Sequence, residues 1–103
     1  MDTREIQLLT DIRDYLDITW GRLEDDKKLE NIMFQGMAYI DGINGKENNY
    51  EEHGQPRGLL FDYCRYARSN ALEEFAINYQ HELIRLQMRT EIDDYDKEQS
   101  GDV

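Results

Sequence analysis

The chain has one cysteine, one proline and few basic residues for its length of 103. A single Cys rules out an internal disulfide framework and any Cys₂His₂ or Cys₄ zinc site. The 12 Lys and Arg stand against 23 Asp and Glu, a formal charge of −11. Affinity for a phosphate backbone comes from cations that release counterions, so this balance argues against binding nucleic acid by charge. It equally disfavours anionic membrane surfaces. No apolar run approaches the roughly 18 residues of a membrane span. The opening Met1-Asp2-Thr3-Arg4-Glu5 has no basic segment leading into an apolar one, as a signal peptide would. The expectation is a soluble protein of a reducing interior.

What is present is aromatic and charged. Aromatic residues make up 11% of the chain, seven of them Tyr, and each buries a large area. With hydrophobic residues at 39% and charged ones at 34%, the core of this single small domain is expected to be thin. Self-association is a natural supplement for such a core.

Periodicity points to an all-α fold, a small bundle of about four helices. Leu8, Leu9, Ile12 and Leu16 recur at helical spacing. The pattern is expected to end near Ile18-Thr19-Trp20-Gly21, where β-branched residues and Gly interrupt it. A second helix begins among Glu24, Asp25 and Asp26, acids suited to a helix N-terminus. Its stripe runs Leu29, Ile32, Met33, Gly36, Ile40 and Ile43. Gly36 inside that stripe costs about 1 kcal/mol against Ala, which close approach of another helix backbone would justify.

Asp41 to Pro56 reads as a long interhelix loop, with its Gly residues, Asn48-Asn49 and the sole Pro at the next helix start. The third helix carries Leu60, Tyr63, Cys64, Ala67 and Ala71 on one face, and Ser69-Asn70 kinks or breaks it. The stripe resumes with Leu72, Phe75, Ala76, Tyr79, Leu83 and Leu86. Residues 1–89 form the helical domain in this reading, and 90–103 a flexible acidic C-terminal tail. No internal repeat and no alternating strand pattern is evident.

The last helix has a second stripe. Ile77, Ile84, Met88 and Tyr95, seven, four and seven apart, fall on a different side from the first. One small bundle does not easily bury two stripes of one helix, so the second reads as a contact surface for another chain. The alternative is a helix central in its bundle, or one that ends before Tyr95. Arg57, Arg65 and Arg68 share a helix face. They either pair with acidic helices of the same chain or meet an acidic patch on a neighbouring copy. Trp20 caps one end of the core or serves as a binding hot spot.

The chemical motifs fail one by one. An EF-hand loop begun at Asp41 has Ile43 at the third position and Lys46 at the sixth, where an oxygen ligand and Gly are required. His53 and His81 follow Tyr50 and Asn78 by three places, so no Glu-x-x-His pair exists. Asp26 with Glu30 only loosely echoes the magnesium sites of all-α nucleotide pyrophosphatases, and Glu73 and Glu74 are followed by Asn78 rather than an acid. Cys64 lies on an apolar stripe with no base placed beside it, and a catalytic thiol needs one. No catalytic, cofactor or metal residue is expected.

Several segments carry a resemblance. They are Leu9-Thr10-Asp11-Ile12-Arg13-Asp14-Tyr15-Leu16-Asp17-Ile18-Thr19-Trp20, then Ala38-Tyr39-Ile40-Asp41 before a Gly-containing loop. The strongest is Gly58-Leu59-Leu60-Phe61-Asp62-Tyr63-Cys64-Arg65-Tyr66-Ala67-Arg68-Ser69-Asn70-Ala71-Leu72-Glu73-Glu74-Phe75. It continues as Asn78-Tyr79-Gln80-His81-Glu82-Leu83-Ile84-Arg85-Leu86. Together they resemble the head–tail connector (adaptor, or head-completion) proteins of long-tailed bacteriophages, over residues 8 to 89.

The resemblance implies a helical subunit that assembles as a ring under the portal. Such a ring extends the DNA channel and offers a platform to stopper or tail-completion proteins. DNA passes through without specific binding, and no membrane is involved. The location implied is the virion neck, after assembly in the host cytoplasm. The acidic tail would dock on the portal, as in some relatives, and the family has no catalytic residues. Two rival readings belong to other classes. One is a small acidic helical DNA mimic that inhibits a host enzyme, which Lys27, Lys28, Arg57, Arg65, Arg68 and Arg85 interrupt. The other is a magnesium-dependent nucleotide hydrolase.

Overall fold

The computed structural model describes residues 2–18 and 23–101. They form five helices and, among the described residues, no strand. Helix α1 spans Thr3–Tyr15, α2 Leu23–Asn44, α3 Gln55–Arg68, α4 Leu72–Asn78 and α5 Gln80–Gly101.

Local chemistry sets several of these boundaries. Asp2 caps α1, its carboxylate accepting from the Glu5 amide at 2.8 Å. The helix ends earlier than the β-branched residues suggest, because Asp17 adopts φ 60°. Asp17 N–H then donates to Asp14 O at 3.1 Å and Ile18 N–H to Arg13 O at 2.9 Å. These are the two bonds of a Schellman stop, with Asp where Gly is usual. The same device ends α3. Asn70 sits at φ 54°, Asn70 N–H bonds Ala67 O at 3.2 Å and Ala71 N–H bonds Tyr66 O at 2.9 Å. Ser69-Asn70 is thus a full break, and α4 is a separate helix.

α2 and α3 share the most extensive contact in the molecule. Leu29, Ile32, Met33 and Ile40 of α2 face Leu59, Leu60, Tyr63 and Cys64 of α3, all buried. Gly36 lies within that contact. A Cβ built there would stand 2.7 Å from Tyr63 Cδ1 and 2.9 Å from Leu60 Cδ1. Side chains of α3, rather than its backbone, fill the space glycine leaves. α1 adds Leu8, Leu9 and Ile12 to the core, and α5 adds Leu83 and Leu86. Phe75 of α4 is enclosed by Tyr79, Tyr63, Tyr66 and Tyr39, with ring centroids 4.8, 5.4, 5.7 and 6.2 Å away.

Helix α2 extends to Asn44, so the connection to α3 is residues 45–54, shorter than Asp41 to Pro56. It is also pinned. Tyr50 is buried and its hydroxyl donates to Asp41 Oδ1 at 2.6 Å. The same oxygen accepts the Asn48 backbone and side-chain amides at 3.0 and 2.8 Å. The boundary that composition places after Arg89 falls inside α5: Thr90 is buried, and the helix continues to Gly101. Continuous helical hydrogen bonding across Thr90 makes 80–101 one element. Its length is reflected in a radius of gyration of 15.3 Å, against about 13 Å for a compact domain of this size.

Candidate protein–protein interface

α5 presents two opposite sides. Leu83, Leu86 and Thr90 face the bundle and are buried. On a 3.6-residue turn, Ile84, Met88, Ile92 and Tyr95 lie across from them within one narrow arc. These four are 44, 56, 58 and 61% exposed. Four large apolar side chains in a row on a highly charged chain are not the scattered singles of an ordinary surface.

Ile92 belongs to this stripe, although the stripe read from spacing alone runs Ile77, Ile84, Met88 and Tyr95. Its interval of four from Met88 was the available signal, hidden by the acidic composition around it. Ile77 does not belong to the same helix. It is 73% exposed, but it lies on α4, and Tyr79 at φ −107°, ψ 13° separates it from α5. Backbone bonds from Tyr79 N–H to Phe75 O and from Leu83 N–H to Tyr79 O span that bend. The seven-residue interval from Ile77 to Ile84 therefore crosses a bend.

The outer half of α5 is polar around its stripe. Glu91, Asp93 and Asp94 are exposed, while Arg85 and Arg89 are exposed in the preceding turns. Lys46 tethers this half to the connecting loop through Asp94 at 3.0 Å, and Gln55 Nε2 donates to Glu82 O at 2.9 Å nearer the start.

The three arginines do not act together. Arg57 is engaged inside the fold: its guanidinium bonds Asp11 Oδ2 at 2.9 Å and Tyr50 O at 3.1 Å, and lies 4.6 Å over the Phe61 ring. It holds the Asp11 carboxyl below the usual range, chiefly through that hydrogen bond, with burial opposing. Arg65 is exposed, 3.6 Å from Asp62 and donating to Tyr79 Oη at 3.3 Å. Arg68 is exposed and makes no ion pair among the described residues. Trp20 lies outside the described residues.

Cys64 has no exposed surface, and burial pushes its thiol up to about 12, away from the nucleophilic thiolate. Asp41, first residue of the rejected calcium motif, turns inward to Tyr50 and Asn48. Among the described residues no three His, Cys, Asp or Glu side chains gather as a metal site, and no helix is long and apolar enough to cross a membrane. Compared with known proteins, the chain matches no family model, no curated protein and no solved structure.

Proposed function

We propose that the chain is a structural subunit working through protein–protein contacts, and specifically a head–tail connector of a long-tailed phage. In that role copies assemble as a ring beneath the portal, extend the DNA channel, and carry the stopper or tail-completion protein at the virion neck. The observation that carries this reading is the outward stripe of α5, a row of apolar side chains that the fold itself leaves uncovered. The all-helical architecture and the resemblance of residues 8–89 support the choice of family. The charge of −11 suits a channel through which DNA slides without sticking, since like charge opposes adhesion.

The test is co-sedimentation with the portal ring encoded alongside the chain. Truncation after Arg89 would remove buried Thr90 and cut α5, so the comparison is between the full chain and Met88→Gln/Ile92→Gln. Stoichiometric binding that the double variant weakens at least tenfold is the expected result. No binding by either form at moderate salt and micromolar concentration overturns the connector reading.

A further inference from the structure

We propose that the outward stripe of α5 is covered, in the free protein, by the same stripe of a second copy running antiparallel about a two-fold axis opposite Thr90. The inference does not rest on the connector reading. It rests on a symmetry within α5. Met88 and Ile92 lie two residues on either side of Thr90, and Ile84 and Tyr95 lie six and five residues from it. Reversing the helix therefore lays Met88 on Ile92 and Ile84 on Tyr95, twice over. That is the self-complementarity a two-fold interface requires, with each residue meeting its counterpart's partner.

Charge selects the same direction. Before Thr90 the helix exposes Arg85 and Arg89 and half-buries Glu82; after it Glu91, Asp93 and Asp94 are exposed, with Asp94 already paired to Lys46. Antiparallel pairing brings the basic turns of one copy beside the acidic turns of the other. Parallel pairing sets acid beside acid along the outer half, where like charges repel. The stripe is also open to a second helix, because the bundle occupies only the side of α5 that holds Leu83, Leu86 and Thr90.

Four side chains from each copy make a patch smaller than the roughly 800 Å² per partner of a stable interface. The pair is therefore weak and reversible, with half-association on the order of 10–100 μM. A two-fold contact closes on itself and cannot propagate around a ring. Self-pairing and any other use of the stripe are thus mutually exclusive, and a tighter-binding partner releases the pair.

Cysteine cross-linking tests the geometry, since the native Cys64 is fully buried and silent in the folded protein. Under mild oxidation, Ile84→Cys mixed with Tyr95→Cys is expected to give a covalent two-chain product, while either variant alone stays single. Sedimentation velocity from about 1 to 200 μM is expected to show the mass rising toward two copies. Met88→Gln, with an unchanged melting curve, should weaken that rise at least tenfold. A single-copy mass throughout the range overturns the proposal. So does efficient linking of Ile84→Cys to itself, the mark of parallel pairing.

Discussion

Around Phe75, four tyrosine rings, from α2, α3 and the junction between α4 and α5, close over one apolar side chain until 1% of it remains exposed. One helix further along the chain, Ile84, Met88, Ile92 and Tyr95 are of similar apolarity and stand in solvent. Both sets recur at helical spacing, so periodicity alone does not separate them. The difference lies in whether an opposing helix exists. α2 and α3 meet α4 across the aromatic cluster, whereas nothing among the described residues lies across from the outer side of α5. Burial is concentrated in the first region, and the second is left exposed.

The sharpest way to break this contrast is to truncate one residue on each side of it. Phe75→Ala should cost about 3–5 kcal/mol in denaturant unfolding, as large core aromatics do. Ile92→Ala should stay within about 0.5 kcal/mol at dilute concentration. Equal costs would mean that the outer stripe is part of the core.

Gly36→Ala comes next. Ala is the better helix former by about 1 kcal/mol, yet its Cβ would lie 2.7 Å from the Tyr63 ring. Overpacking of that kind costs about 1–3 kcal/mol, so a net loss of about 1 kcal/mol is expected from the urea midpoint. A gain in stability would show slack between α2 and α3 and weaken the picture of a tightly closed first region.

The acid limb provides a third, smaller test. The hydrogen bond from Arg57 lowers the Asp11 pKa below its ordinary 3.8. A carboxyl lowered on folding contributes stability that is complete above its unfolded value and disappears as pH falls through the folded one. Melting temperature should therefore drop below about pH 4, and in Arg57→Gln that part of the drop should flatten. An unchanged acid limb in the variant would show that Arg57 contributes only through Tyr50 O and the Phe61 ring.

Asn70→Gly carries the smallest effect. At φ 54° Asn is less favourable than Gly, which adopts left-handed conformations freely. A stabilisation of up to about 1 kcal/mol is expected in thermal unfolding. A loss would mean that the Asn side chain contributes more to the α3 stop than its backbone conformation costs.

Much of the first region was legible in the sequence. The α2 stripe from Leu29 to Ile40, the α3 stripe through Tyr63 and Cys64, and the break at Ser69-Asn70 all follow from helical period and turn chemistry. Gly36 marks the contact with α3, but side chains of Tyr63 and Leu60, not the helix backbone that a glycine there suggests, fill the space beside it. What was hidden depends on tertiary partners. Tyr50 sits among polar loop residues, and its burial follows from Asp41 and Met37 O accepting its hydroxyl. Asp17 looks like a surface acid until its φ is known. Arg57 shares a helix face with Arg65 and Arg68, but Asp11, 46 residues earlier, claims it.

The second region was half legible. Ile84, Met88 and Tyr95 emerged from spacing, and their exposure in the structure agrees with a surface stripe. Ile92 was lost because an acidic segment reads as a tail, although apolar period survives inside it. Helical spacing takes in Ile77 because the break at Tyr79 leaves no mark in the hydrophobic pattern.

The central claim is that one face of α5 holds the fold together and the other does not. Urea unfolding of Ile84→Gln/Met88→Gln/Ile92→Gln, at a concentration too low for association, tests it directly. An unfolding midpoint within about 0.5 kcal/mol per site of the native chain, with an unchanged slope, is the predicted result. A total loss above about 3 kcal/mol would place the stripe in the core and contradict the account.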